Sequence, residues 1–452
     1  MNASILGGVI FVLVFAGIIL THEFGHFIAC RMVGIDVLEF GIGFPPRLWR
    51  FWRGRGLLVI GKQKVTIPRN LDLPFDPKSA AARVVDATAD EVRGKLVLRS
   101  IKFAATEDGQ VTPAPGAVKP TSSAAETGAI YLTGPLNEIH VGTEYTLNWI
   151  MLGGFVLPKG EDNPDLKDGL ASAVAWKRIF MLVAGAAMNL LTAVIVYSII
   201  FTQAGIPDLN RVIIAELIKG KPAEAVGFQS GDVVKSVDGI AISTSEQLIQ
   251  IINERPGKAI TITIQRGEQT LDIVVTPELD PTDGKGRIGT YISNPLRPAR
   301  SWFETIPISF KSTYVAAQQL LALPGRFIAG TLTPQEAQLG GPRTIWNLFQ
   351  QAVARDTASR QTPSAGGTAA PSYYTLFTII SLCVTVGVAN LMPIPALDGG
   401  RIFMTLIEVI IRRPIPAKYQ AAINGAGFII MILLLGVFYI KDIINPANIT
   451  LP

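Results

Sequence analysis

The chain has 452 residues, of which 49% are hydrophobic and 17% are charged, with a formal net charge of +5 at pH 7. A soluble chain carries about 25% charged residues, so this composition argues against an ordinary soluble protein and indicates a membrane protein with sizeable water-exposed parts. Two cysteines imply no disulfide framework. The basic residues are dispersed without a binding motif, so we expect no nucleic acid as a partner.

The first apolar segment contains a zinc-protease signature. The 21 residues before His22 carry no charge, and His22-Glu23-Phe24-Gly25-His26 follows them as an HExxH motif. At helical spacing the two histidines lie one turn apart on one face and can bind the same metal ion, while Glu23 can reach its water without being a ligand. A chance match in a core helix and a structural metal site are the alternatives. Ionisable groups inside a spanning helix are costly, which favours the functional interpretation.

A catalytic zinc site with two histidines needs a third protein ligand, and Asp398 supplies it. This residue ends an uncharged run of 25 residues, and Pro393 and Pro395 break the helix just before it. Taken alone, Asp398-Gly399-Gly400 would be an ordinary turn at a helix end. Together with the two histidines of HExxH, Asp398 gives a set of two nitrogen ligands and one oxygen ligand. This is the usual set for a catalytic zinc ion with an open position. We therefore predict one Zn²⁺ per chain.

Four apolar runs are long enough to cross a membrane, which needs about 20 residues. They cover residues 1–21, 179–207, 373–397 and 419–440, and the first continues through the motif to Cys30. Basic residues follow the first run and lie between the third and fourth, so we expect both stretches on the cytoplasmic side and both termini outside the cytoplasm. Without a basic n-region or a cleavage pattern, the first run should remain as an anchor rather than be removed as a signal peptide.

The joint pattern of motifs resembles the site-2 proteases, which are intramembrane zinc metalloproteases, in the branch of the bacterial regulator of sigma-E protease. The motifs that carry the resemblance are HEFGH at 22–26, GIGF at 41–44, EYTLNW at 144–149, LGGF at 152–155, AGAAMN at 184–189 and NLMPIPALDGG at 390–400. The resemblance implies His22, His26 and Asp398 as zinc ligands and Glu23 as the general base, the same assignment that the spacing predicts.

The resemblance also implies that Asn189 and Asn390 line the substrate cleft. Hydrogen bonding between spans is an alternative role for these two asparagines, and both interpretations stay open. Gly153 and Gly154, just ahead of the second span, are further candidates for substrate binding.

The implied activity is hydrolysis of peptide bonds within transmembrane segments of single-pass proteins, such as anti-sigma factors or remnant signal peptides, in the lipid bilayer of a bacterial inner membrane. A substrate helix must unwind locally to expose its carbonyls. Two other classes stay in view: a zinc-containing scaffold or transporter with a permeation path, and a peptide-binding adaptor with a vestigial metal site. Glu23 argues against the first, and the complete ligand set argues against the second.

The loop between the first two spans should contain a small membrane-associated sheet. Residues 50–68 and 145–156 alternate apolar and polar side chains, as strands do. The resemblance implies that such strands offer an edge to an extended substrate beside the catalytic helix. Residues 69–140 depart from the family pattern as an insertion, in which we expect a hairpin around 95–104 and a flexible linker at 112–128. His140 is predicted to be a surface residue.

Beyond the second span, residues 221–239 resemble the core motif of a bacterial PDZ domain. Gly231 and Asp232 make a turn in this motif, and together with Gly227 they mark the expected peptide-binding region. The resemblance implies capture of an extended peptide by β-addition. A size filter for substrates is the alternative, and both remain open. Residues 301–354 are amphipathic and should lie on the outer membrane surface.

The predicted fold is membrane α-helical, with four transmembrane helices, a membrane-associated cytoplasmic β-sheet and one extracytoplasmic α+β PDZ-like domain. The predicted segments are transmembrane helix 1 with HExxH at 1–32, a cytoplasmic loop at 33–176 with its insertion at 69–140, transmembrane helix 2 at 177–207, the PDZ-like domain at 208–282, an amphipathic segment and linker at 283–372, transmembrane helix 3 with the LDG motif at 373–411, and transmembrane helix 4 with a short tail at 412–452.

Overall fold

The computed structural model describes residues 3–75, 83–103, 129–161, 166, 168–281, 284–332, 341–361 and 372–444. These residues fall into two compact units. The first is drawn from Met1–Ala193, Thr313–Ala365 and Ser372–Pro452, and the second from Val194–Ser312.

Nine helices occur among the described residues. They are α1 Ala3–Val33, α2 Ala175–Ala204, α3 Pro222–Ala225, α4 Ser245–Asn253, α5 Trp302–Ile328, α6 Pro342–Gln361, α7 Tyr374–Ala389, α8 Asp398–Ile411 and α9 Ala417–Ile444. The strands are β1 Val37–Arg53, β2 Gly56–Ile60, β3 Gln63–Ile67, β4 Val84–Val92, β5 Lys95–Phe103, β6 Ala129–His140, β7 Glu144–Pro158, β8 Ile206–Pro207, β9 Val212–Leu217, β10 Val233–Val237, β11 Ile240–Ala241, β12 Ile260–Arg266, β13 Gln269–Val275, β14 Glu278–Leu279, β15 Gly286–Arg287, β16 Thr290–Ser293 and β17 Leu296–Arg297.

Three of the described helices are long and apolar enough to cross a membrane, namely α1 over Gly7–Val33, α2 and α9. The most apolar stretch of α9 has no buried residue, as expected for a helix that faces lipid. The helix α7 is apolar but has only 16 residues, or about 24 Å. It ends at Ala389, and α8 begins at Asp398, so the helix break predicted at Pro393 and Pro395 is confirmed.

The strands β1 and β7 pair with each other, and each makes a turn along its length. Residues 37–42 of β1 pair with residues 154–158 of β7, and residues 39–42 also pair with residues 144–147 of β7. Residues 47–53 of β1 pair with residues 144–148 of β7. The strand predicted at 145–156 is thus confirmed as β7. The second predicted strand region, 50–68, divides at Gly54: only its first residues belong to this sheet.

The remainder of that region belongs to a closed five-stranded barrel, with strand order β2-β3-β5-β4-β6. All its pairs are antiparallel except β3 with β5. Leu58, Ile60, Val65, Leu98 and Leu136 fill its interior together with seven further buried residues. The hairpin expected around 95–104 is therefore placed differently, since residues 95–103 form the single strand β5, which pairs with β4 at 84–92 within the barrel. The linker expected at 112–128 lies outside the described residues.

The barrel is joined to the β1 and β7 sheet by two chain segments that lie side by side, at Gly54 and Thr143. The Gly54 amide donates to the Thr143 carbonyl at 2.8 Å, so the entering and leaving chains are adjacent. His140 does lie at the surface, but its Nδ1 is 2.5 Å from a carboxylate oxygen of Asp36. On the barrel side, a hydrogen bond from Arg50 lowers the pKa of the Asp72 carboxyl below its ordinary value.

The helix α6 is tied to three helices of the same unit. The rings of Trp346 and Phe349 pack edge-on against Phe11 of α1, with centroids 5.2 and 5.7 Å away. Asp442, near the end of α9, accepts a hydrogen bond from the Thr344 amide at 2.9 Å. Asp356 accepts from the amides of the first two residues of α7, at 3.0 and 2.9 Å. Each carboxylate thereby satisfies amides of a helix N-terminus that have no partner within their helix.

The second unit contains a sheet of order β13-β12-β10-β9-β16, with β11 paired to β10. The helix α4 contributes Leu248 and Ile252 to the core of this unit. A capping box at Thr244 and Gln247 begins the helix. The sheet continues past the domain end predicted at residue 282, because β16 pairs with β9.

Because the chain enters and leaves the barrel at adjacent residues, we predict that the barrel can be removed without unfolding the rest of the chain. Replacing residues 55–141 by a short Gly/Ser bridge joins two chain ends that are already adjacent. Each ion pair lost, such as Asp36 with His140, has at least one partner at the surface and is worth about 0–1 kcal/mol. Thermal unfolding and metal content of the purified protein should stay near wild type. As a control, removing only residues 84–103 opens the barrel and should increase proteolysis. Loss of metal on full excision would show that the barrel is part of the core.

Candidate metal centre

The helix α1 places His22 and His26 on one buried face, and each residue is only 7% exposed. The start of α8 brings Asp398 to the same point. His22 Nε2 lies 3.0 Å from Asp398 Oδ2, and His26 Nε2 lies 3.3 Å from the same oxygen. The two Nε2 atoms are 3.1 Å apart. The structure therefore brings together three of the predicted site residues from segments more than 370 positions apart in the chain.

These three donors fit a zinc ion. Ligands at about 2.0–2.1 Å in a tetrahedron are separated from each other by about 3.3 Å. The observed separations of 3.0, 3.1 and 3.3 Å are close to that value. Two imidazole nitrogens and one carboxylate oxygen are also the donor types that catalytic zinc sites use, with the fourth position left for water or substrate.

Glu23 lies beside this triangle. One of its carboxylate oxygens is within 4.8 Å of the imidazole nitrogens of His22 and His26. Its Oε2 accepts a hydrogen bond from the Val156 amide of β7 at 3.1 Å. The strand thus orients the carboxylate next to the donor triangle, at a place where it can exchange a proton with water held there.

Both imidazoles are contacted on their far side by α2. His26 Nδ1 is 2.8 Å from the Met181 carbonyl oxygen. His22 Nδ1 is 3.4 Å from the amide nitrogen of Asn189, and Asn189 also contacts the hydroxyl of Thr21 at 3.2 Å. Outer contacts of this kind fix the orientation of metal-binding histidines.

The approach of α2 depends on two glycines. A Cβ at Gly185 would lie 2.6 Å from His26 Nε2 and 2.8 Å from His22 Cε1. A Cβ at Gly25 would lie 2.4 Å from the Ala184 carbonyl oxygen. Any larger residue at either position would force the helices or the rings apart.

A cavity of about 340 Å³ opens at the donor triangle. Asn390 lines it, whereas Asn189 is fully buried behind His22. At its wall, Arg401 of α8 donates a hydrogen bond to Glu161. Glu161 could not be predicted from the sequence, because no motif contains it. Arg401 directly follows the Asp-Gly-Gly motif, and that position was the only available signal.

The remaining predicted residues lie elsewhere. Gly153 and Gly154 are in β7, and a Cβ on them would meet Ile19 or Leu20 of α1 at 2.6 and 3.2 Å. In the second unit, Asp232 is 1% exposed and accepts hydrogen bonds from Arg266 at 2.7 Å.

The same guanidinium donates to the Gly227 carbonyl at 2.9 Å. Gly227 and Gly231 have positive φ, of 88° and 93°. The peptide-binding role of these three residues stays a prediction.

The model of Peptidase family M50 matches residues 10–60 and 124–434. The unmatched residues between them include most of the barrel. A putative zinc metalloprotease of Clostridium perfringens is 34% identical over 328 residues, which cover 71% of this chain and 90% of that protein. The regulator of sigma-W protease RasP of Bacillus subtilis is 23% identical over 453 residues, covering 96% of this chain and 97% of that protein.

Among solved structures, the PDZ domain of an SdrC-like protein from Listeria monocytogenes is 22% identical, with a TM-score of 0.17, and the match covers 18% of this chain and 87% of that one. The family model, in contrast, spans both metal-binding segments and most of the chain. The protein therefore belongs to peptidase family M50 and is a zinc metalloprotease of the site-2 type.

Proposed function

We propose that this protein is an intramembrane endopeptidase that hydrolyses peptide bonds within transmembrane segments of single-pass membrane proteins. The observation that carries the proposal is the donor triangle of His22, His26 and Asp398 with Glu23 beside it. The triangle is built on α1, a helix long and apolar enough to span a membrane. A hydrolytic centre at that depth meets peptide bonds that soluble proteases do not reach.

One zinc ion per chain would be held by His22, His26 and Asp398. Bound Zn²⁺ supplies Lewis-acid chemistry, acidifying water and polarising a carbonyl oxygen. Glu23 accepts a proton from water as the water oxygen attacks the scissile carbonyl carbon. When the C–N bond breaks, Glu23 gives this proton to the leaving amine nitrogen. The hydrogen bond from the Val156 amide keeps the Glu23 carboxylate turned toward the reacting atoms.

The sheet of β1 and β7 is suited to hold an extended substrate beside α1. Val156 of β7 directs its amide at Glu23, so a peptide added along this part of the sheet would pass the base. Trp49 and Trp149 are 62% and 65% exposed on the same two strands. Exposed tryptophans favour a membrane interface, and we assign this sheet to the cytoplasmic face of the bilayer.

The proposed topology has four spans in a bacterial inner membrane, with both termini outside the cytoplasm. The third span consists of α7, the break at Asn390–Leu397 and the start of α8. Anti-sigma factors and remnant signal peptides are the substrate classes that suit this arrangement. The PDZ-like domain, which the sequence places on the outer side, would control access, either as a size filter or as a peptide receptor.

The role of Glu23 as the general base can be tested by substitution. Glu23→Gln should lower cleavage of a single-pass substrate by about 10²–10⁴-fold, because proton transfer is lost. Zinc content, measured on the purified protein, should stay close to one ion per chain, because the ligands are kept. A general base contributes at least about 10²-fold to the rate. Cleavage above roughly a few per cent of wild type would therefore show that Glu23 is not the general base.

Substitution of a ligand should instead remove the metal. His22→Ala, His26→Ala and Asp398→Ala are each expected to lose most of their zinc in metal analysis, because two donors bind Zn²⁺ weakly. His140→Ala is the matched control, since this histidine pairs with Asp36 and should leave zinc content unchanged. If one of these variants retained full zinc occupancy, the substituted residue would not be a zinc ligand.

The proposed topology can be tested with reporter fusions. A reporter after Asn210 or at the C-terminus should be extracytoplasmic, and one near Ala125 or Pro414 should be cytoplasmic. The reason is that basic residues follow the first span and lie between the third and fourth spans. A reversed reading at any of the four positions contradicts the four-span arrangement.

Deleting residues 212–293 with a Gly/Ser bridge, which removes β16 together with its partner β9, tests the PDZ-like domain. A pre-trimmed substrate should still be cut, because the metal-binding segments are retained. Cleavage of a substrate with a bulky outer domain should rise if the domain is a size filter and fall if it is a peptide receptor. Failure to cut the trimmed substrate, in a folded protein that holds zinc, would make this domain part of the catalytic assembly.

A further inference from the structure

One face of α2 is built around the two ligand imidazoles. Met181, Gly185 and Asn189 follow one another at intervals of four residues, so they lie along a single face of the helix. The Met181 carbonyl contacts His26 Nδ1 at 2.8 Å, and Asn189 contacts His22 Nδ1 at 3.4 Å. Gly185, between them, leaves space for both rings. Each ring is thus held at the nitrogen opposite to the one that faces Asp398.

Asn189 is placed for this role and not for contact with a peptide. The residue is 0% exposed. The described residues that line the cavity at the donor triangle include Asn390 but not Asn189. Among the described residues, its side chain hydrogen-bonds to Thr21 and His22, and both belong to α1.

The proton positions of the zinc-bearing form define what Asn189 must do. A neutral histidine that binds a metal through Nε2 carries its proton on Nδ1, so His22 needs a hydrogen-bond acceptor there. The two ends of a carboxamide are nearly alike in shape, and only the orientation with Oδ1 toward His22 provides that acceptor. The amide nitrogen of Asn189 then faces Thr21.

This orientation also settles the bonding of Thr21. In the structure the hydroxyl of Thr21 lies 2.9 Å from the Ile18 carbonyl oxygen and 3.2 Å from Asn189 Oδ1. Turning the carboxamide over exchanges this oxygen for the amide nitrogen. A hydroxyl has one hydrogen, so it can donate to only one of these groups. With the amide nitrogen facing it, Thr21 donates to Ile18 and accepts from Asn189. The chain of hydrogen bonds from His22 through Asn189 and Thr21 to the backbone is then complete.

We infer that Asn189 is a positioning residue for zinc binding, which fixes the ring of His22 through its Nδ1 proton and is itself anchored by Thr21. The inference rests on the proposed zinc site but not on peptidase activity. It replaces the substrate-cleft role that the family resemblance implies for Asn189, and it assigns contact with substrate to Asn390. His26 is fixed by a backbone carbonyl, so side-chain substitution can release only the His22 ring.

The test is the zinc affinity of the purified full-length protein in detergent, measured by competition with a chromophoric chelator. Asn189→Leu keeps the branched outline of the side chain but removes the acceptor, and loss of such an outer contact weakens metal binding by about 10–100-fold. Asn189→Asp keeps an acceptor for the Nδ1 proton and should retain wild-type affinity or exceed it. Visible absorption of the Co²⁺-substituted protein should change in the leucine variant and not in the aspartate variant.

Three further variants serve as controls. Asn390→Leu should reduce cleavage and leave zinc affinity unchanged, because Asn390 lines the cavity without contacting a ligand ring. Thr21→Val removes the acceptor for the Asn189 amide and should weaken zinc binding, whereas Thr21→Ser keeps the hydroxyl and should not. If Asn189→Leu does not fold, the comparison of the two Thr21 variants with Asn189→Asp still decides the question.

Wild-type zinc affinity in a folded Asn189→Leu protein, together with a raised KM for a peptide substrate, would overturn the inference and return Asn189 to the substrate cleft. Equal zinc loss in the leucine and aspartate variants would overturn it as well, since the acceptor would then be irrelevant. A protein that binds zinc but cleaves no peptide would instead contradict the proposed function, and the affinity differences would still be measured.

Discussion

The close contact between α1 and α2 at Gly25 and Gly185 is the constraint on which the metal centre depends. With a Cβ at Gly185, the imidazoles of His22 and His26 would be displaced, because the added atom would lie 2.6–2.8 Å from ring atoms of both. Small residues allow membrane helices to approach so closely. The approach brings the Met181 carbonyl and Asn189 to the far nitrogens of the two rings, so helix packing and ligand orientation have one cause.

A second constraint is the cost of polar groups at membrane depth. Asp398 would be expensive in a continuous apolar helix. The break between α7 and α8 offers it the first turn of α8, where the unpaired amides of a helix N-terminus favour a negative charge. The Gly399 amide donates to the Asn390 carbonyl at 2.7 Å, which closes the break internally. The prolines and the helix break therefore place the Asp398 carboxylate next to the histidines of α1.

The local patterns identified three side chains that the structure brings together, whereas the long-range pairings could not be predicted from them. HExxH at helical spacing and Asp398 after two prolines identify the donors, because each pattern lies within a few residues. The barrel was missed because its closure joins β2 to β6 across about 80 residues, and because β4 buries Ala87 and Ala89, which give a weak apolar alternation. The pair of Glu161 and Arg401 spans 240 positions and has no local signature.

Zinc K-edge X-ray absorption on the purified wild-type protein tests the central claim most directly, namely that α1 and α8 assemble one zinc site. The structure predicts one zinc ion per chain with four nitrogen or oxygen ligands at about 2.0–2.1 Å, two of them giving the multiple scattering of imidazole. The chain has only three histidines and two cysteines. A third imidazole, or a sulfur ligand at about 2.3 Å, would contradict the account.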